Sequence, residues 1–355
     1  MGSRDVRGDE DPDPPALYAF TQQLLRHHGK SGKGCRLTEL AASGAIGQKN
    51  ERDPKAILEH YDMGLEVNGI RFLLYAKKHG VSFAQTAMLG RQGLHLDPVS
   101  LKAALCEFGL FPENAEVERL LNQRGGYSEP FLEMLGAAEV CSFDTSEYEE
   151  ATYLHDFNMP MDDRFKQRFT AVFDGGALEH IFNFPVAIMN CMEMVKVGGH
   201  FLAKTPTNNF VGHGFYQFSP ELFFRIFCPA NGFEIEHIFL YEEMANPFRA
   251  PWWEVTDPAT LQRRVTLVNT RATSLLVLAR RTANTPVFAA SPQQSDYVPL
   301  WKSRATLPVS LLPKTFAQTK KHIPNPLKEA YRFLLRGYRH LYPRYDHDGF
   351  KSAER

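Results

Sequence analysis

The sequence predicts an α/β fold: a Rossmann-like, seven-stranded, mostly parallel sheet with helices on both faces, flanked by helical N-terminal and C-terminal extensions. Two observations predict it. Apolar runs of strand length alternate with amphipathic stretches of helix length from Val81 to Ala279, which is the pattern of βαβ units. The stretch from Arg168 to Pro206 shows one unit whole. Thr170 to Phe173 is apolar and ends in Asp174-Gly175-Gly176; Leu178-Glu179-His180 and an amphipathic helix follow. Gly198-Gly199 is expected to close that helix, and His200 to Thr205 forms a second apolar strand ending at Pro206. The polar loop lies at the carboxyl end of its strand, where open α/β sheets bind ligands.

The elements follow in order. Met1 to Pro15 is charged and proline-bearing, a composition that stays disordered, and Ala16 to His27 suits a short helix. Gly29 to Gly34 alternates glycine with lysine but lacks the spacing of a phosphate loop and a strand before it, so it reads as a linker. Ala56 to Lys78 places Leu58, Tyr61, Leu65, Ile70, Leu73 and Leu74 on one helical face, to pack on the domain or cover the substrate. Val81 to Leu89 is the first strand, running into Gly90-Arg91-Gln92-Gly93. Helices are expected at Leu101 to Phe108, Glu113 to Asn122 and Pro130 to Leu135. Ala138 to Phe143 is the second strand, ending at Asp144, and Ala151 to Leu154 the third, ending in His155-Asp156-Phe157-Asn158. After the fourth and fifth strands, Ser219 to Phe227 is a helix that starts on a serine cap and a proline. Gly232 marks its end, and Phe233 to Tyr241 is the sixth strand. Glu242 to Thr270 reads as an irregular insertion, and Thr273 to Ala279 is the last strand. This divides the chain into an N-terminal extension (1–80), a core (81–285) and a basic C-terminal extension (286–355).

Composition narrows the function classes. The 355 residues are 43% hydrophobic, enough for one large core with appendages. Forty basic against 41 acidic residues, a net charge of −1, argue against a dedicated nucleic-acid binder. The five cysteines are odd in number and include no CxxC pair, which fits thiols in a reducing compartment. No apolar run reaches the ~18 residues of a membrane span, and the acidic start is no signal peptide. The expected location is cytoplasmic.

The wording of the fourth and fifth strands resembles class I S-adenosylmethionine (SAM)-dependent methyltransferases, type 11-like, whose pattern runs FDxV…LEH…LxxGGxxxxxxP. The resemblance covers Val81 to Ala279. It implies SAM as cofactor and methyl transfer to an oxygen or nitrogen of a small-molecule acceptor, such as a sugar or other secondary metabolite. It also implies an antiparallel seventh strand, which the late strand after the insertion fits. Residue by residue, it places Asp144 on the ribose hydroxyls and Asp156, with His155 and Asn158 beside it, on the adenine side. Gly90, Arg91, Gln92 and Gly93 stand where the family carries E/DxGxGxG. Here Met88 replaces the acid and Gln92 the middle glycine, so Arg91 is the candidate to grip the cofactor's carboxylate bidentately, and Gln92 to hydrogen-bond its polar end. Asp174, Gly175 and Gly176 border the donor methyl, where glycines let a ligand lie against the backbone.

On the acceptor side, His180 is the candidate general base. The loop from Thr205 to Glu221 resembles the GHxxxxSPE region bordering the acceptor pocket, which makes His213 and Tyr216 substrate-contact candidates. His155 and Asp156 are adjacent, and no HxxxH or HxH pair exists, so no metal site is expected. In the tail, Leu327, Tyr331, Leu334, Tyr338 and Leu341 form a helical stripe with Arg332, Arg336 and Arg339 off it. That segment suits docking on the core, an anionic membrane surface, or a phosphorylated acceptor. The alternative to an enzyme is a non-catalytic, methyltransferase-like ligand-binding or assembly module.

Overall fold

The computed structural model describes residues 64–297, 344–345 and 348–353. From the N-terminal side the elements are β1 (Gly64–Leu65), α1 (Val67–Lys78), β2 (Gln85–Leu89), β3 (Gly93–Leu94), α2 (Pro98–Glu107), α3 (Asn114–Asn122) and α4 (Glu129–Met134). The centre holds β4 (Glu139–Asp144), β5 (Tyr153–Leu154), β6 (Phe169–Asp174), α5 (Phe184–Met194), β7 (Val195–Asn208) and α6 (Pro220–Ile226). Then come β8 (Phe233–Glu242), β9 (Trp253–Val255), α7 (Pro258–Leu261), β10 (Leu267–Val268), β11 (Thr273–Arg281), β12 (Arg344–Tyr345) and β13 (Phe350–Ser352).

The main sheet runs β13-β9-β8-β11-β7-β6-β2-β4-β5. It therefore has nine strands where the sequence pattern gives seven. The five strands from β5 to β7 pair in parallel. β11 lies between β7 and β8, antiparallel to both, the orientation the resemblance implies for the last strand. The two extra strands are short. β9 comes out of the supposedly irregular insertion and pairs with β8 on one side and β13 on the other. Three residues give too few alternations for a period-2 pattern to show.

Both faces of the sheet are covered, which is why its central strands are almost wholly apolar. β6 buries all six of its residues. Along β11 the faces alternate: Leu275, Val277 and Ala279 join the core under α5 and α6, while Leu276 and Leu278 join the core under α1 to α4. The expected helix from Ala56 to Lys78 lies outside the described residues up to residue 63; within them Gly64–Leu65 is a strand, α1 runs from Val67, and Val67 through Ala76 are all buried. It is a core element rather than an outer cover. Its Arg71, 1% exposed, makes paired 2.7 Å hydrogen bonds to Glu107 of α2. Removing one partner of such a pair costs about 3–5 kcal/mol.

Local chemistry sets the remaining boundaries. α2 starts three residues before the expected Leu101, because Asp97 accepts from the N–H groups of Val99 and Ser100 at 2.9 and 3.0 Å and Pro98 takes the first turn. Gly198-Gly199 does not close α5 but lies inside β7. A Cβ on residue 199 would sit 2.8 Å from the Thr170 carbonyl, so the glycine permits close approach where the β6–β7 register shifts. α5 is instead closed by buried Arg281, whose guanidinium donates to the carbonyls of Met192, Glu193 and Val195 at 3.0, 3.1 and 2.6 Å. Cys141 and Cys191 are buried thiols, and burial pushes the Cys141 thiol up to about 11. No helix among the described residues is long and apolar enough to cross a membrane. The disordered start, the Ala16 to His27 helix, the Gly29 to Gly34 linker and the basic stripe from Leu327 to Leu341 lie outside the described residues.

Candidate active site

At the carboxyl ends of β6 and β7 lies a cavity of about 580 Å³, lined by Gly175, Gly176, Glu179, Lys204, Thr205, His213, Glu243 and Ser274, with Glu66 entering from the start of α1. Its floor is a half-buried charge cluster. Glu66 caps α1 through the N–H groups of Asn68 and Gly69 at 2.8 and 3.0 Å, and lies 3.3 Å from the Lys204 ammonium. The Tyr241 hydroxyl donates to Glu66 at 3.3 Å, and the Ser274 hydroxyl donates to Glu243 at 2.8 Å. Burial works against the Lys204 charge, but the carboxylates of Glu66 and Glu243 outweigh it and hold its pKa above the ordinary value. Burial likewise lifts Glu243, against the pull of Lys204. A ligand here meets donors and acceptors side by side.

The turn after β6 is built on Asp174. Its Oδ1 accepts from the N–H groups of Ala177, Leu178 and Gly176 at 2.8, 3.2 and 3.4 Å, which starts the short helical turn Leu178–His180. Complete burial, reinforced by the neighbouring Glu179 charge, raises the Asp174 carboxyl to about 8. Glu179 in turn pins the loop after β7. Its backbone carbonyl accepts from Phe215 and Tyr216 at 2.7 and 3.2 Å, and its Oε2 accepts the Thr205 hydroxyl at 3.2 Å. This brings His213 Nε2 to 3.6 Å from Glu179 Oε1 and its ring to 4.9 Å from that of His180. Burial holds the His180 imidazole below its ordinary pKa, against Glu179 and with the help of His213.

Of the residues nominated from sequence, Gly175, Gly176 and His213 line the cavity. His180, an exposed residue whose ring is partly desolvated, stands beside His213. Tyr216 is not among the lining residues; its phenol donates to the Phe182 carbonyl at 2.6 Å, which fixes the loop. Gly90 turns with φ +67° and donates to Phe143 at 2.8 Å. Gly93 pairs with Gly64 in the two-residue ladder β1–β3.

Arg91 departs from the role expected of it. Its guanidinium hydrogen-bonds Glu129 at 2.7 Å and the Glu149 carbonyl at 3.1 Å, and stacks 3.9 Å over the Tyr127 ring. A bidentate grip on a ligand carboxylate would require breaking those bonds. Gln92 is fully buried; its amide donates to the Leu89 carbonyl at 2.6 Å, and its Oε1 has no partner among the described residues.

The strand-end acids stand at the carboxyl edge of the sheet but outside the cavity. Asp144 Oδ1 accepts the N–H and hydroxyl of Ser146 at 2.8 and 3.2 Å. Asp156 is exposed, and the Asn158 N–H and amide, at 2.9 and 2.7 Å, hold its carboxyl below the usual value. Asn158 also brackets Asn183 ahead of α5, accepting at its Oδ1 and carbonyl at 2.9 and 3.0 Å. The His155 N–H donates to the Asp144 carbonyl at 2.7 Å, and its buried Nε2 has no partner among the described residues.

Two buried oxygens, Gln92 Oε1 and Asp174 Oδ2, therefore have no hydrogen-bond partner among the described residues. A buried polar atom without a partner costs about 1–3 kcal/mol, so a donor-rich group such as an ammonium would be favoured at this turn, although neither residue lines the cavity. The amino-acid end of SAM carries one, and in that respect the residues present fit it.

No family model matches the chain, and no curated protein matches it. Solved structures with a similar chain trace include the 1,6-didemethyltoxoflavin-N1-methyltransferase of Burkholderia thailandensis with bound 1,6-didemethyltoxoflavin and S-adenosylhomocysteine (SAH). The likeness there is 11% identity and a TM-score of 0.34, over 78% of this chain and 94% of that one. The YcgJ protein of Bacillus subtilis is similar at 11% identity and a TM-score of 0.34, over 60% and 99% of the two chains. The branched-chain polyamine synthase of Thermus thermophilus is similar at 12% identity and a TM-score of 0.29, over 65% and 61%.

Sequence reasoning missed Glu66, Lys204, Glu243 and Ser274. One signal was present: Lys204 is a lone charge in an otherwise apolar strand, HFLAKTP, and charges enter buried strands only with partners.

Proposed function

We propose that this chain is a SAM-dependent methyltransferase acting on an oxygen or nitrogen of a small polar acceptor, such as a sugar or other secondary metabolite. The observation that supports this best is the cavity itself: about 580 Å³, polar at its floor, and opening on the Gly175-Gly176 turn at the end of β6. Asp144 ends β4 on the same edge of the sheet, with only β2 between it and β6.

SAM, when bound, supplies a methyl group already activated on its sulfonium. The protein's share of the work is alignment and exclusion of water. Asp144 would accept from the ribose hydroxyls, with His155, Asp156 and Asn158 on the adenine side. Gln92 Oε1 would accept from the ammonium, and so would Asp174 Oδ2 once the cation beside it favours its ionised form. Glu66, Lys204, Glu243 and Ser274 would orient a polar acceptor, and His213, on the cavity wall, would help position its reacting group.

One observation favours the rival, a non-catalytic ligand-binding module of the same fold: the Gln92 side chain fills space beside Gly175 that the family's glycine leaves open. Incubation with SAM labelled in its methyl group and pools of polar amines, sugars and phenols separates the two. An enzyme yields labelled acceptor and SAH. SAH binding with no transfer to any pool favours the module. Neither binding nor transfer overturns the methyltransferase reading.

A further inference from the structure

Three side chains at the mouth of the cavity belong to one cluster that the sequence spacing hides. Glu179 and His180 are consecutive in the turn after β6, and His213 comes from the loop after β7. One donor atom from each, a carboxylate oxygen and two imidazole nitrogens, lies within 4.8 Å of the other two. We propose that Glu179, His180 and His213 form a binding site for a divalent first-row transition cation, with zinc as its representative.

The geometry is close to what such an ion needs. Bonds of about 2.0–2.2 Å to nitrogen and oxygen put neighbouring ligand atoms roughly 3–3.5 Å apart. Glu179 Oε1 and His213 Nε2 are already 3.6 Å apart. His180 is a partly exposed residue, and rotation about its own side-chain bonds would close the remaining gap. Two imidazoles and a carboxylate select zinc, manganese, cobalt or iron over magnesium and calcium, which prefer all-oxygen shells.

The surroundings are those of a supported ligand set. The Glu179 side chain is 2% exposed, and its Oε2 already receives the Thr205 hydroxyl at 3.2 Å, which orients the carboxylate and leaves Oε1 toward His213. The Glu179 carbonyl ties down the loop that carries His213. Three protein ligands leave a coordination position open, the arrangement of catalytic rather than structural sites. Glu179 and His213 both line the cavity, so the open position faces it. It would select an acceptor that offers a hydroxyl or amine as the further ligand. This last clause rests on the methyl-transfer reading; cation binding does not.

The test is calorimetric titration of the full-length, chelator-stripped protein with zinc chloride, repeated with cobalt chloride while the visible absorption is recorded. One ion per chain is expected, with a cobalt spectrum of nitrogen and oxygen ligation. His180→Ala, His213→Ala and Glu179→Gln should each weaken binding roughly tenfold or more. His79→Ala, which removes a surface histidine on another element, should bind as the parent does. Circular dichroism confirms that each variant is folded, and His180→Gln serves as a second variant at the most exposed position. No stoichiometric uptake by the parent overturns the site, and so does equal affinity in folded His180→Ala and His213→Ala. SAH binding measured in parallel separates the two ideas: zinc uptake without SAH binding sinks the methyltransferase reading alone, and SAH binding without zinc uptake sinks the cation site alone.

Discussion

Gln92 occupies the space that a side chain at Gly175 would need: a Cβ built there would lie 2.7 Å from the Gln92 amide carbon and closer still to its oxygen. The turn after β2 and the turn after β6 are thus fitted to each other. Gly175→Ala should force Gln92 out of its buried position and cost about 1–3 kcal/mol. Urea unfolding measures the loss, and the double variant with Gln92→Ala should recover most of it. Additive losses in the double variant would show that the two residues do not compete for that space.

Arg91 is held by protein acids, so its removal should act on stability. Arg91→Ala strands Glu129, whose side chain is 7% exposed, at a cost of about 3 kcal/mol. Any loss of affinity should be the same for SAH and for methylthioadenosine, which lacks the amino-acid carboxylate. A selective loss for SAH would mean that Arg91 leaves its partners to read that carboxylate.

Much of the fold is legible in the sequence because the buried strands are long enough to show it. Phe169–Asp174 and Thr273–Arg281 stand out as apolar runs. β9 and β13, three residues each, do not. Gly198-Gly199 looks like a helix stop, but what it provides is close approach between β6 and β7, a tertiary contact that no local pattern encodes. The site divides in the same way. Gly175, Gly176 and His213 follow from motif wording, whereas the Glu66–Lys204 pair joins a helix cap to a distant strand. Arg91 misleads because its partners Glu129 and Glu149 are distant in sequence.

Asp174 supplies a prediction about pH. Its folded-state pKa is raised from 3.8 to about 8, chiefly by burial. Between those values the folded state keeps a proton that the unfolded chain has released. The folded state therefore binds more protons, and stability falls as pH rises through that window, by at most about 1.4 kcal/mol per unit. The contribution is fully present below the unfolded value and lost above the folded one. Asp174→Asn keeps an acceptor for the Ala177 N–H and removes the titration. Unfolding free energies of the parent should thus fall relative to this variant between pH 4 and pH 8, and a constant difference across that range would refute the assignment.

The central claim is that the carboxyl edge of this sheet binds SAM through the acid that ends β4. Calorimetric titration of the full-length protein with SAH, on the parent and on Asp144→Ala, tests it most directly. The account predicts one site per chain in the parent and a loss of about 1–3 kcal/mol of binding free energy in the folded variant, from the lost charge-assisted hydrogen bonds. No binding by the parent, or equal affinity in Asp144→Ala, would contradict it.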